Sequence, residues 1–431
     1  MHQIKQGIKK VIPKNAVYQV ANAYHLVVAI AANIRYGFPA RSARVIMVTG
    51  TNGKTTTVAY IAKMLMQAGH KVGVNSTAFY SFGDGTLEPN TSNRTVNDIF
   101  EVQRMLARMK QNGCDYIVME VTSMALVQHR VWGVPCDVAV MTNLTQDHLD
   151  YHKTMERYAE AKGKLFARRP KLIVLNRDDD WFDFYNKYEA SERKVTYGTD
   201  KASTVRIAEA DLGHQGTDVT LKVENEHTLA FHTHLPGKFN VYNATAAAAV
   251  GYYLQLEPEQ VTKGIEALES VPGRMERIDE GQRFEVVIDY AHTPDALQNL
   301  LDTLRHLTKG KLWVVFGATG DRDKGKRPIM GEIAARLADR IILTDDEPYY
   351  EDPAAIRAAV MEGIVQGKGQ SKTVEVADRK EAIVKAISEA RPRDIVAITG
   401  MGHEQFRIVG GERQPWSDAG IAREALQKKT A

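Results

Sequence analysis

The sequence predicts an α/β protein of two doubly wound units, the first built around a P-loop and a parallel sheet, the second Rossmann-like. Three observations carry this. From residue 44 onward, short β-branched runs alternate with longer amphipathic ones, the pattern of parallel strands joined by helices. The stretch "VTGTNGKTTT" at 48–57 has the strand, glycine turn and helix order of an anion-gripping loop. After "VPGR" at 271–274, where proline and glycine interrupt regular structure, the alternation begins again without a second such loop.

Taken in order, the first 43 residues fit neither unit: "NAYHLVVAIAANIRYGFPARS" is helical in pattern and reads as a packing arm, or as a substrate-presenting or membrane-surface element. "RVIMVTG" reads as a buried strand and "KTTTVAYIAKMLMQAG" as a helix closed by Gly69, followed by the strands "DYIVMEV", "DVAVMTN" and "KLIVLN". Between about 194 and 235 the alternating segments "STVRIAEADL", "GTDVTLKVEN" and "HTLAFHTHL" predict an antiparallel patch laid onto that unit. "NVYNATAAAAVGYYLQL" and "PEQVTKGIEALESV" return to helix. The second series runs from "FEVVIDY" through "KLWVVFG", "DRIILTD" and "KTVEVA" to "DIVAITG", with helical patterns between. The expected division is therefore 1–43, 44–272 and 273–431.

Composition narrows the function. A chain of 431 residues, 44% hydrophobic, can fill two or three cores. Its longest apolar run, "HLVVAIAANI", falls short of the roughly 20 residues of a membrane span, and no secretory signal is evident, so cytoplasmic residence is expected. Cys114 and Cys136 are too few for a disulfide framework or a four-cysteine zinc site and read as buried small hydrophobes. A formal charge of +3 with no basic run interleaved with aromatics argues against a nucleic-acid partner, and "ARRPK" at 167–171 reads as a solvated helix end.

The chemistry concentrates at strand ends. The loop lacks the first glycine of the common G-x-x-x-x-G-K-[ST] pattern, since Val48 stands there and the first glycine is Gly50. Even so, Lys54 and Thr55 open a helix whose N-H groups and dipole favour an anion; Lys54 suits phosphate oxygens and the Thr55 hydroxyl suits magnesium. Glu120 ends an apolar strand, where a carboxylate needs a cation, and Asp147 and His148 follow another. Arriving together at the carboxyl edge beside the loop, they read as metal ligands.

"GTNGKTTT", "MEVTSMALVQHRV", "TNLTQDHLDYH", "YAEAKGKLF", "GKFNVYNATAA", "VPGRMERID", "IDYAHTPDAL", "GDRDKGKRPIMG" and "GMGHEQFRIVGG" occur in one order from about 44 to the C-terminus. Together they resemble the Mur ligases, and within that family the branch that adds the third peptide residue. The shortened loop is the form these enzymes share with folylpolyglutamate synthases. The resemblance implies an ATP- and magnesium-dependent amide ligase of peptidoglycan precursor synthesis: a substrate carboxylate becomes an acyl phosphate, and an amino group displaces the phosphate. It implies that Thr51, Asn52, Gly53, Lys54, Thr55 and Thr56 grip phosphate, with Lys54, Glu120, His148 and Lys162 at the reacting centre. Thr55, Glu120 and His148 would hold metal, as would Lys162 once carbamylated; read from sequence alone, Lys162 is one more exposed helix lysine. Asn240 and Asn243 match nucleotide-binding asparagines, and Arg274, Asp289, Tyr290, His292 and Lys324 match positions that reach ATP from the C-terminal unit. Asn90, Thr91, Ser92, Gln128 and Arg130 match residues holding a muramoyl-dipeptide; Thr122 and Ser123 stand for two serines, while Met124 and Ala125 replace a His-Gly pair. Asp346, Glu347, Tyr349, Gly400 and Glu404 fall in the site of the free amino acid, with Met401 replacing a common lysine.

Two departures set expectations. Where diaminopimelate-adding ligases carry D-N-P-R, this chain has Asp346, Glu347, Pro348 and Tyr349, so the arginine fork for a distal carboxylate is gone and lysine or a similar diamine is the expected acceptor. The family's uridine-diphosphate-binding domain of about a hundred residues is replaced by 43, which leaves open a reduced UDP site or a carboxylate substrate in another, lipid-linked form. A monomer or weak oligomer is expected. The rival from another class, a signalling NTPase, rests on "NRDD" at 176–179, which mimics a guanine-reading N-K-x-D, but its loop spacing is wrong. A silent binding subunit would have lost Lys54, Glu120 or His148, and all three are present.

Overall fold

The computed structural model describes residues 14–91, 95–96 and 98–430. Helix α1 (Lys14–Tyr36) precedes β1 (Arg44–Thr49), which runs into α2 (Lys54–Gln67). Then come β2 (Val72–Asn75), β3 (Phe79–Phe82), β4 (Glu88–Pro89), α3 (Ile99–Gln111), β5 (Tyr116–Glu120), α4 (Ser123–Val127) and β6 (Val138–Met141). The short α5 (Leu149–His152), α6 (Met155–Phe166), β7 (Leu172–Asn176), α7 (Phe182–Asn186) and β8 (Arg193–Gly198) follow. Strands β9 (Val205–Gly213), β10 (Gly216–Val223) and β11 (His227–Thr233) lead to α8 (Lys238–Tyr253) and α9 (Pro258–Glu266).

These strands make one eleven-stranded sheet in the order β11-β10-β9-β8-β7-β6-β1-β5-β2-β3-β4. Its centre is parallel, because β1 pairs with β5 on one side and β6 on the other in parallel register. Successive side chains of β1 point to opposite faces, and both are covered. Ile46 and Val48 enter a core with α2, α8 and α9, while Val45 and Met47 enter a core with α3, α4 and α6. This two-sided burial explains the unbroken apolar run of "RVIMV". Strands β9–β11 do not lie on the sheet as a separate patch: β9 pairs parallel with β8, and β10 and β11 extend the same edge antiparallel. The hairpin edge β2–β4 has no counterpart in the sequence-based reading.

A second sheet takes β12 (Glu276–Ile278), β13 (Glu285–Asp289), β14 (Leu312–Phe316), β15 (Arg340–Leu343), β16 (Thr373–Glu375) and β17 (Ile395–Thr399) in the order β12-β13-β17-β14-β15-β16. All pairs are parallel except β12 with β13. Helices α10 (Pro294–Leu307), α11 (Lys326–Leu337) and α12 (Pro353–Gln366) cover one face; α13 (Arg379–Glu389) and the C-terminal α14 (Asp418–Thr430) cover the other. The hairpin β18 (Phe406–Val409) and β19 (Glu412–Pro415) precedes α14. Helix α10 begins where "HTPDAL" says it should: Thr293 caps the Ala296 amide and Pro294 occupies the first turn, where no N-H is needed. Cys114 is buried as expected, Cys136 is only partly so and its Sγ donates to Val138 O at 3.4 Å, and neither forms a disulfide; burial pushes the two thiols up to about 11 and about 12. Among the described residues no helix is long and apolar enough to cross a membrane.

Candidate functional site

A cavity of about 820 Å³ opens where the carboxyl ends of β1, β5 and β6 face the second sheet. This is the crevice beside the central strand at which the sheet order reverses, where open α/β sheets bind ligands. Thr51 to Thr56, Glu120, Thr122, Arg130, Asp147, His148 and Asn243 line it from the first unit, and Arg274, Asp289, Tyr290, His292 and Arg322 from the second.

The loop needs its glycines. Gly50 and Gly53 both have positive φ, 150° and 81°, and a Cβ on Gly53 would lie 3.1 Å from Asn243 Cγ and closer still to its Oδ1. Asn143 shapes the turn, taking the Thr51 amide on its carbonyl at 2.8 Å and the Asn52 amide on its Oδ1 at 2.9 Å. Lys54 Nζ donates to Thr51 O at 2.7 Å and stands 3.9 Å from Glu120 Oε1. Burial lowers the Lys54 pKa, opposed by Glu120 and reinforced by Arg274. Glu120, 2% exposed, accepts from the Thr55 hydroxyl at 2.9 Å and from both the amide and the hydroxyl of Thr77 at 3.0 and 2.9 Å.

Lys162 is not an exposed helix lysine. It is 1% exposed, its Nζ donates to Gly50 O at 2.6 Å and it lies 4.6 Å over the Tyr158 ring. Burial, and after it the Lys54 charge, hold its pKa well below the ordinary value. The helical register of α6 brings it beneath the phosphate loop, which an isolated "YAEAK" cannot show. Asp147 collects three cationic or imidazole groups: His148 at 3.4 Å, Lys326 at 3.8 Å and His292 at 3.9 Å. They outweigh its burial and hold the carboxyl well below its usual range. Burial in turn keeps His148 below its ordinary pKa and pushes His292 down to about 3, aided by Lys326. Burial thus disfavours the charged form of both imidazoles.

The oxygens of Thr55 and Glu120 suit a hard divalent cation, and the His148 imidazole, whose charged form burial disfavours, could add a nitrogen donor. Among the described residues no three His, Cys, Asp or Glu side chains cluster closely enough to hold an ion unaided. The donor set therefore fits magnesium only with phosphate oxygens or a modified Lys162 completing the shell.

Contacts between the two units set the crevice. Asn52 Nδ2 donates to Asp295 Oδ2 at 2.7 Å, the Thr293 hydroxyl donates to Asn52 Oδ1 at 3.3 Å, Arg274 donates to Thr55 Oγ1 at 3.3 Å, and the His403 ring meets Thr77 O at 3.1 Å. Asn240 is 2% exposed behind the wall, where its Oδ1 accepts from Asn243 Nδ2 at 3.2 Å. Lys324 departs from expectation: 71% exposed, it pairs with Glu351 at 2.8 Å away from the cavity wall, and Lys326, at the first turn of α11, supplies the buried cation instead. "GDRDKGKRP" carries both lysines, and only the helix start separates the exposed one from the buried one. The carboxylate at the last position of "NRDD", Asp179, does line the cavity, but the Leu144 and Trp181 amides already donate to it at 2.9 and 3.0 Å.

Of the dipeptide-site residues, Thr122 caps α4, Ser123 Oγ lies 2.8 Å from His152 Nε2, and Arg130 holds Gln128 Oε1 through two nitrogens at 3.0 and 2.6 Å. The buried Asn90 donates to Ser76 O at 2.8 Å, Thr91 O accepts from Arg413 at 3.0 Å, and Ser92 lies outside the described residues.

Behind Tyr290 lies an acidic recess. Tyr290 donates to Glu404 Oε1 at 3.0 Å, and Glu347 accepts from the Ile408 amide at 3.0 Å and the Tyr349 hydroxyl at 3.2 Å. Asp346, 4% exposed against Gly400, has a buried Oδ2 with no hydrogen-bond partner. Burial and mutual repulsion push Glu347 up to about 7 and Glu404 well above its usual range. The buried Arg379 is taken by Asp418 through contacts of 2.9 and 2.6 Å. Arg322 sits 5.0 Å over the Tyr349 ring and donates to its hydroxyl at 3.3 Å, a contact the sequence did not signal.

Fold and cavity together define a two-lobed protein whose crevice lies between a sheet bearing a phosphate-loop sequence and a second sheet. Residues 48–251 match the Mur ligase middle domain and residues 273–402 the Mur ligase glutamate ligase domain. The UDP-N-acetylmuramoyl-L-alanyl-D-glutamate--2,6-diaminopimelate ligase of Bacillus cereus is 42% identical over 406 residues, spanning 92% of this chain and 81% of that protein. The ligase of the same name from Aquifex aeolicus is 40% identical over 392 residues, 91% and 79% of the two chains. A solved ligase of that name is 35% identical with a TM-score of 0.62, covering 90% and 79%. An ADP complex of Mycobacterium tuberculosis folylpolyglutamate synthase shares the fold at 21% identity and TM-score 0.72, covering 87% and 91%. The chain belongs to the Mur ligase family and is an ATP-dependent ligase.

Proposed function

We propose that this ligase adds lysine, or a similar diamine without a distal carboxylate, as third residue to a muramoyl-L-Ala-D-Glu substrate in peptidoglycan precursor synthesis. The observation that carries the choice of amino acid is the recess: Asp346, Glu347 and Glu404 converge, Arg379 beside them is taken by Asp418, and Tyr349 stands where an arginine fork would be. Three carboxylates of which one oxygen is buried without a partner call for an ammonium group, which desolvated carboxylates hold strongly.

The chemistry follows from charge placement. A substrate carboxylate oxygen attacks the γ-phosphorus and ADP leaves; the amine then attacks the acyl carbon, loses a proton, and inorganic phosphate departs. Lys54 and Arg274 flank the Thr55 hydroxyl and neutralise the anions that must be brought together, in a crevice where preset charges need no reorganisation. Thr55, Glu120 and His148 would hold magnesium, whose charge would screen the phosphates. Lys162, 2.6 Å from Gly50 O, lies where burial and the Lys54 charge disfavour its ammonium form, and uptake of carbon dioxide by its amine would turn it into a carboxylate-like ligand. Arg130 and Gln128 support the dipeptide end.

One observation favours a second reading. Arg322 against Tyr349 puts a guanidinium near the missing fork, and the relatives are named for diaminopimelate. Turnover with lysine, ornithine and meso-diaminopimelate decides. A preference for the first two of about tenfold or more supports the proposal. A preference for diaminopimelate that Arg322→Ala removes overturns it.

A further inference from the structure

We propose that α1 docks the enzyme onto an anionic lipid surface. The helix has two apolar faces and the fold uses one. Its inner face puts Ala29 and Ala32 against Ile99, with Val28 and Trp132 packed alongside. Asn33 fixes this side by donating to Trp132 O at 2.9 Å, and Asn22 meets His129 Nε2 at 2.9 Å. The outer face carries Tyr24, Val27, Ala31 and Ile34 at spacings of three and four, so they form one stripe. Tyr24, Val27 and Ile34 are 65%, 64% and 67% exposed, and the other large apolar side chains with high exposure are scattered along the chain.

Charge identifies the occupant. Residues 1–44 contain Lys5, Lys9, Lys10, Lys14, Arg35, Arg41 and Arg44 and no acidic residue, and the first carboxylate of the chain is Asp84. An apolar stripe on a segment of positive net charge, beside which Asp98 and Glu101 open α3 and Glu101 is paired with Arg104, matches acyl chains beneath anionic headgroups, each basic group adding attraction within a Debye length. The same spacing would suit a second copy of α1, but pairing would set two segments of the same positive net charge against one another. Because α1 rests on the 128–134 segment that carries Gln128 and Arg130, docking brings the dipeptide end of the crevice near the membrane, where a lipid-carried substrate lies. The docking itself stands apart from the acceptor reading and is measured without turnover.

The test is co-sedimentation of the full chain with vesicles of neutral phosphatidylcholine alone or with about a third phosphatidylglycerol. The expected result is partition onto the mixed vesicles only, lost in high salt and weakened about tenfold or more by V27D/I34D, with a circular dichroism melt like that of the parent. K9E/K10E changes charge alone and is expected to weaken partition in the same direction. No partition of the parent chain, or partition that both double variants retain, overturns the inference. So does a dimer in analytical ultracentrifugation that V27D/I34D dissociates without any vesicle binding, which would assign the stripe to a second copy.

Discussion

Replacing Gly53 with alanine tests whether the loop holds phosphate as proposed. The residue has φ 81°, and the added Cβ would lie 3.1 Å from Asn243 Cγ and 3.3 Å from its Nδ2. Holding a non-glycine residue there costs about 1–2 kcal/mol. Displacing Asn243 also breaks its bonds to Thr57 Oγ1 at 3.3 Å and Asn240 Oδ1 at 3.2 Å, about 1 kcal/mol for each buried bond lost. The sum is about 3–4 kcal/mol, enough to lower the thermal midpoint by several degrees. The backbone N-H groups that open α2 would tilt with it, so ATP affinity is expected to fall about tenfold or more. Differential scanning calorimetry and isothermal titration with ATP measure the two effects. G53A/N243A removes the clash and is expected to recover part of the stability but not the affinity. A G53A protein that binds ATP as tightly as the parent would refute the reasoning.

The raised carboxyl of Glu347, at about 7 against an ordinary 4.5, means the folded chain binds that proton more tightly than the unfolded one. Its contribution to stability therefore falls as pH rises from about 4.5 to 7, while affinity for an amino acid bearing an ammonium group strengthens through the same window. Glu347→Gln should flatten both profiles, and steep profiles in that variant would show another group responsible. Asp418→Ala leaves the fully buried Arg379 charge uncompensated and is expected to cost about 3–5 kcal/mol in urea unfolding, whereas a loss near zero would mean water reaches that site. Lys162→Met is expected to keep ATP binding but lower turnover about a hundredfold, and depleting bicarbonate should slow the parent chain alone. Equal bicarbonate sensitivity in both proteins would contradict the carbamate.

The central strands were legible because a parallel strand buried on both faces leaves an unbroken apolar run, as "RVIMV" and "DVAVM" do. The loop was legible because Gly50, Gly53, Lys54 and Thr55 are adjacent in sequence. The edge was not: β3 and β4 are short, and only pairing with β2 makes "FYSF" a strand. Likewise "STVRIAEADL" shows alternation but not its partner, so the continuation of one sheet through β8 and β9 became visible only in register. Lys162, Lys326 and Arg322 share this limit. Whether a lysine is exposed or buried under a loop a hundred residues away depends on tertiary placement, and only the family resemblance pointed to Lys162.

The measurement that bears most directly on the account is the fate of oxygen-18 placed in the substrate carboxylate. If that carboxylate is phosphorylated before the amine attacks, the released inorganic phosphate carries one labelled oxygen, and its release requires both the dipeptide and the amino acid. Unlabelled phosphate, or release that neither substrate affects, would contradict the mechanism.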